Sequence, residues 1–101
     1  MLNMLWFLSR RFEWNEKKRG DNTAKGRPDF GQALLVFKDK NRITFIDKRK
    51  DYGETRRQTI GEVEGKLLFV VWTRRSWGRI RIISARRAKR GRERRKYYGN
   101  S

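Results

Sequence analysis

Six consecutive apolar residues, Leu67 to Trp72 in "KLLFVVWT", constrain this chain more than any other feature. Successive side chains of a strand point to opposite faces, so a strand with one wet face alternates apolar and polar residues. A strand without alternation has both faces covered and sits in the middle of a sheet. Immediately upstream, residues 55–62 ("TRRQTIGE") form a second strand-like run, and Glu64-Gly65 supplies the turn between them. Residues 55–73 therefore read as a hairpin whose second strand, 66–73, is central.

The flanking segments supply the cover. "WNEKKRGDNTAKG" suggests a short helix over about 15–24, with Gly20 as its weak point. In "RPDFGQALLVFKD", Asp29 is a suitable N-cap, and Phe30, Ala33, Leu34 and Phe37 recur at i, i+3, i+4 and i+7, the stripe of a core-facing helix. "NRITFIDKRKDYGE" gives a strand over about 42–47 and a charged loop. "RIRII", 79–83, alternates Ile80 and Ile82 with Arg79 and Arg81, so the isoleucines face the core and the arginines face away. The end, "ARRAKRGRERRKYYGN", reads as a basic helix interrupted by Gly91. The expected fold is α+β, with two N-terminal helices, an antiparallel meander of about four strands and a C-terminal basic helix. A chain of 101 residues is one domain.

Charge narrows the function. The chain carries 28 Lys and Arg against 11 acidic residues, a net +17. From Arg74 to Lys96 there are 12 basic residues and one acid, Glu93, so this quarter holds +11 of the total. Such concentration points to a polyanion, chiefly nucleic acid. With no cysteine and no histidine, disulfides, the usual zinc sites and a histidine acid–base pair are excluded. A cytoplasmic location is expected. The apolar run Met4 to Leu8 is shorter than a signal peptide core, and no stretch approaches the roughly 20 apolar residues of a membrane span, so no membrane partner is expected.

Phosphate-binding loops of the GxxxxGK[ST] and GxGxxG kinds are absent, and the acids are too scattered to hold catalytic metals. One reaction suits the remaining tools. RNA carries its own nucleophile, the 2′-hydroxyl beside the phosphate it attacks. The protein has only to hold the strand in line, neutralise the negative charge that develops, and assist two proton transfers. Guanidinium forks match phosphate oxygens two at a time, and a lysine crowded by arginines is a candidate base. Arg81 on the open sheet face is the leading candidate. Arg56 is expected on a neighbouring strand, with Glu54 two residues earlier on the same face.

Each residue also has a structural explanation. Arg81 is what any half-exposed strand shows, Arg56 and Glu54 make an ordinary ion pair, and Arg86 supports a helix start. Lys18 and Lys25 are solvated helix residues, and Tyr97 and Tyr98 pack. Trp14 and Trp72 are core residues. Trp77, beside Gly78 in a loop, either stacks on a base or anchors its loop.

Five segments carry a resemblance to a known family: "FEWNEKKRGDN" (12–22), "DFGQALLVF" (29–37), "DYGETRRQTIG" (51–61), "RIRIISARRA" (79–88) and "ERRKYY" (93–98). In order and spacing they resemble BrnT-type toxins, the toxin half of the bacterial BrnT/BrnA type II toxin–antitoxin system. The resemblance implies a toxin domain over 12–98, with 1–11 as an N-terminal extension and 99–101 as a tail. It further implies a compact RelE-like fold and ribonuclease activity that inhibits translation. The partners it implies are an RNA substrate and a BrnA-like antitoxin with a ribbon-helix-helix DNA-binding part, whose complex with the toxin binds operator DNA.

Position by position, the family's Trp-Asp-x-x-Lys corresponds to Trp14, Asn15 and Lys18, with asparagine for aspartate. Its Ala-Lys-His-Gly corresponds to Ala24, Lys25, Gly26 and Arg27, without the histidine. Gly-Glu-x-Arg is intact as Gly53, Glu54 and Arg56, and Arg-Ile-Ile-Ser-Ala-Arg is intact from Arg81 to Arg86.

Pattern and resemblance together nominate Lys18, Glu54, Arg56, Arg81, Arg86 and Tyr98 as catalytic residues. Lys25, Arg79, Arg87 and Arg90 are nominated to bind RNA. Neither metal nor cofactor is expected. Two other functions suit the charge: a non-catalytic RNA- or DNA-binding module, and a surface that mainly docks an acidic antitoxin segment.

Overall fold

A computed structural model describes residues 11–99. Strand β1 (Phe12–Trp14) leads into helix α1 (Glu16–Ala24), then helix α2 (Phe30–Ala33), which tightens into a 3-10 turn at Leu34–Lys38. Strands β2 (Ile43–Ile46), β3 (Arg56–Val63), β4 (Lys66–Arg74) and β5 (Ile80–Arg87) follow, and helix α3 (Arg92–Tyr98) closes the chain. The expected N-terminal extension lies almost wholly outside the described residues.

The sheet order is β1-β5-β4-β3-β2, which puts β4 in the centre. Every residue from Leu67 to Thr73 is buried. Leu68, Val70 and Trp72 face a core built with Phe30, Ala33, Leu34, Val36, Ile82 and Ala85. Leu67, Phe69 and Val71 face a smaller one with Ile60, against which Phe45, Ile83 and Tyr97 pack. The unbroken apolar run thus reflects two covered faces, as expected.

Strands β2 to β5 form the anticipated antiparallel meander, but the sheet has five strands and is mixed. β1 runs parallel to β5, pairing Phe12 with Ile80, Glu13 with Arg81 and Trp14 with Ile82. Three residues are too few for alternation to register as a pattern, which is why this strand escaped the sequence.

The second helix also differs. Asp29 caps it as expected, accepting the Gly31 N–H at 2.9 Å, but only four residues are α-helical. Residues 34–37 are four apolar residues in a row, which a 3.6-residue period does not place on one face. Val36 also lies so close to β3 that only a glycine, Gly61, fits opposite it.

β5 runs four residues further than expected, to Arg87, because Ala85, Arg86 and Arg87 pair with Val70, Phe69 and Leu68. The pairing is irregular at Val71/Trp72. This bulge turns both Ile83 and Ser84 toward the smaller core and keeps Ala85 in the larger one. The basic helix is correspondingly short and starts after Gly91, at φ 83. Glu93, in the first turn of that helix, reaches back to accept the Lys89 N–H at 2.7 Å.

α3 lies over the smaller core. The Tyr97 hydroxyl donates to Asp39, whose carboxylate also accepts the N–H groups of Asn41 at 2.9 Å and Glu62 at 2.7 Å. Burial alone would raise the Asp39 pKa, but these bonds outweigh it and hold the carboxyl below its ordinary value.

Candidate active site

Beyond α3, the same face of the sheet carries a row of polar side chains across four strands. Glu13 on β1 pairs with Arg81 on β5, Arg81 with Thr73 on β4, and Thr73 with Arg56 on β3. Each lies an even number of residues from a neighbour in the smaller core, or between two residues facing the larger one, so all four side chains share a side. Arg81 and Arg56 are thus on one face as expected, but with β4 between them rather than on adjacent strands.

Glu13 gathers three arginines. It accepts from Arg81 Nε at 2.9 Å and Arg79 Nε at 3.2 Å, and Arg75 Nε lies 3.4 Å away. Partial burial pushes its pKa upward, but the guanidiniums of Arg81, Arg79 and Arg75 more than compensate and keep the carboxyl below its usual value. On the far side, Arg56 donates from Nε to Glu54 Oε2 at 2.9 Å. Its guanidinium carbon sits 3.9 Å from the centre of the Tyr52 ring, over its face, a cation–π contact.

Between these groups lies a cavity of about 240 Å³, lined by Lys18, Glu54, Arg56, Arg75 and Arg81 with Asn15, Ile82 and Ile83. Four cations and one carboxylate line it, so the hollow is strongly positive. Lys18 enters from α1, which begins where β1 ends. Asn15 caps that helix, accepting the Lys18 N–H at 3.1 Å. The cap geometry an aspartate would give is therefore kept while its charge is lost.

The other nominated residues lie elsewhere. Arg86 forms a two-pronged pair with Glu93, at 2.9 and 2.7 Å, and stacks 4.0 Å from the Phe69 ring centre. It lines a neighbouring groove with Phe45, Gln58 and Lys96, on the same face but under α3. Burial raises the Glu93 carboxyl, but Arg86 and the Lys89 N–H bring it below its ordinary value. Arg87, Arg90 and Tyr98 line a third hollow with Arg94, near the β3–β4 turn. Lys25 is exposed at the C-cap of α1. Arg79 does not line the cavity but shares the Glu13 carboxylate with Arg75 and Arg81, which do.

Glu13 and Arg75 went unnominated. "FEW" is too short to announce a strand, and Arg75 sits in a turn whose direction no periodicity reveals. Among the described residues, no three histidine, cysteine or acidic side chains come together as metal ligands would. No helix among them is long and apolar enough to cross a membrane.

A family model described as the ribonuclease toxin BrnT of type II toxin–antitoxin systems matches residues 14–91. The chain belongs to the BrnT family. The BrnT match spans every cavity-lining residue named above, whereas Glu13 and Tyr98 fall outside it. The crystal structure of the Brucella abortus ribonuclease toxin BrnT is similar in fold. It has a TM-score of 0.60 and 26% identity, over 78% of this chain and 96% of that one. No curated protein sequence matches. Membership of a type II toxin–antitoxin toxin family implies an antitoxin partner for this chain.

Proposed function

We propose that this chain is the toxin of a bacterial, cytoplasmic toxin–antitoxin pair, an endoribonuclease of RelE-like architecture that cuts RNA without a metal ion and so blocks translation. A BrnA-like antitoxin with a ribbon-helix-helix part neutralises it, and the complex binds operator DNA. The observation that carries the ribonuclease assignment is the pairing of Arg56 and Arg81 on either side of Thr73, with Lys18 and Glu54 at the same cavity.

The chemistry follows from what these groups can do. A phosphodiester lying between Arg56 and Arg81 has its non-bridging oxygens held by two guanidiniums, which stay charged and strengthen their grip as the phosphorane gains negative charge. The 2′-oxygen forms a bond to phosphorus, the bond from phosphorus to the 5′-oxygen breaks, and the products are a 2′,3′-cyclic phosphate and a free 5′-hydroxyl. The proton leaves the 2′-oxygen and one is delivered to the 5′-oxygen. Arginine does not exchange protons in proteins, so Lys18 is the cavity group suited to that task, while Glu54 orients Arg56. Glu13 orients Arg81.

Arg81→Ala tests the assignment. The expected result is loss of RNA cleavage and of growth arrest, with circular dichroism and melting temperature close to wild type, since Arg81 is 39% exposed. Cleavage at the wild-type rate by this variant would overturn the assignment. RNA bound but left whole by the wild-type protein would mark a binding module instead.

A further inference from the structure

Between β4 and β5 the chain turns through Arg75, Ser76, Trp77, Gly78 and Arg79, and the Trp77 side chain stands away from the protein. Trp77 is 96% exposed, so it does not anchor the loop. Its backbone is left-handed, with φ 63 and ψ 27, a region that is unfavourable for a residue bearing a side chain. Backbone bonds close the turn around it: the Arg75 N–H donates to the Arg79 carbonyl at 2.7 Å and the Arg79 N–H to the Ser76 carbonyl at 3.3 Å. Among the described residues, a large apolar ring is thus held on a fixed turn, at an energetic cost, without a ring or cation contact in return.

Its neighbours indicate the ligand. Arg75, two residues before Trp77, lines the cavity and pairs with Glu13, and Arg79, two residues after, pairs with the same carboxylate. Arg74 adds a further exposed cation to the turn. A flat aromatic face set among cations beside a phosphate-sized hollow suits a ligand that alternates negative charges with flat rings. A single-stranded nucleic acid has that form, its bases stacking on aromatic side chains while its phosphates meet arginine.

We infer that Trp77 is a stacking platform for a nucleobase flanking the phosphate held at Arg56 and Arg81. This rests on the ribonuclease function proposed above and adds to it the residue that grips the unpaired strand outside the cavity. The ring reads no hydrogen-bonding edge, so it contributes affinity and alignment for single strands with little preference among bases.

The test compares wild type, Trp77→Ala and Trp77→Phe, each titrated into a labelled 2′-O-methyl oligoribonucleotide of about ten nucleotides, a length within the usual range of single-strand sites. Labelled inorganic polyphosphate serves as a probe with charge and no bases. Trp77→Ala is expected to bind the oligonucleotide about tenfold more weakly, with Trp77→Phe within about threefold of wild type. All three should bind polyphosphate alike, with the same dependence on salt. Equal affinity of Trp77→Ala and wild type for the oligonucleotide would overturn the inference and leave the ribonuclease function standing. An equal loss on polyphosphate would also overturn it, by showing a disturbed turn rather than a lost stack. Wild-type protein without affinity for the oligonucleotide would overturn both.

Discussion

Arg56 and Arg81 lie two strands apart yet flank one residue, since Thr73 of β4 pairs with both. Adjacent strands are about 4.8 Å apart, so the two arginine backbones are separated by about 10 Å, a span that two long side chains close onto one phosphate. Acting as a unit on that phosphate, they should behave non-additively. Arg56→Ala and Arg81→Ala are each expected to lower kcat by about 100-fold or more, with the double variant little worse than either. Lysine at 81 should recover only a small part, because an ammonium does not reproduce the fork. Effects that simply multiply in the double variant would show that the two arginines do not share a transition state.

Glu13 is placed to position arginines rather than to react. Glu13→Gln keeps the shape but removes the charge that holds Arg75, Arg79 and Arg81 together. The expected outcome is a split: kcat falls about tenfold because Arg81 is less well aligned, while KM falls or holds, since a competing carboxylate has gone. Steady-state kinetics on one RNA substrate would check this. Unchanged kcat with raised KM would contradict a positioning role.

Acid should weaken the fold in a defined window. Asp47 is buried, takes a two-pronged pair from Arg49 at 2.9 and 2.7 Å, and has its pKa lowered to about 2, chiefly by that hydrogen bonding. A carboxyl whose folded pKa lies below its unfolded value of about 3.9 stabilises the fold above pH 4, and the contribution is lost as pH falls from about 4 to 2. Allowing for the solvent around Arg49, Asp47→Asn should cost about 1–2 kcal/mol at pH 7, and its penalty should shrink toward pH 2. Denaturant melts at the two pH values measure this. A penalty equal at both would exclude the carboxylate as its source.

Gly61→Ala offers a prediction about stability alone. A Cβ there would lie 2.9 Å from the Cβ of Val36 and 3.1 and 3.2 Å from its carbonyl oxygen and Cα. Backbone cannot yield as a flexible side chain does, so the substitution should destabilise by about 1–3 kcal/mol. A variant as stable as wild type would show that the 3-10 segment shifts freely.

The meander, the helix over 16–24 and the Asp29 cap were legible because each spans enough residues for a period or a cap to appear. β1 and the true end of β5 were not. Both depend on a partner strand: β1 is three residues that become a strand only beside Ile80–Ile82, and Ala85–Arg87 carry helix-compatible residues that pairing with β4 overrides. The same limit shaped the site. Arg56 and Arg81 could be assigned to a face by alternation, but Glu13 and Arg75 joined them only through tertiary placement. Arg86, named on the strength of a motif, was turned beneath α3 by the strand's extra length and its bulge.

The central claim is that permanently cationic side chains hold a phosphodiester while the RNA's own 2′-hydroxyl attacks it. Mass spectrometry of the fragment ends, after incubating antitoxin-free protein with transcripts and ribosomes in EDTA, tests it most directly. The proposed chemistry predicts cleavage with a 2′,3′-cyclic phosphate on one fragment and a 5′-hydroxyl on the other. Ends bearing a 5′-phosphate, or transcripts left intact until a divalent cation is restored, would contradict it.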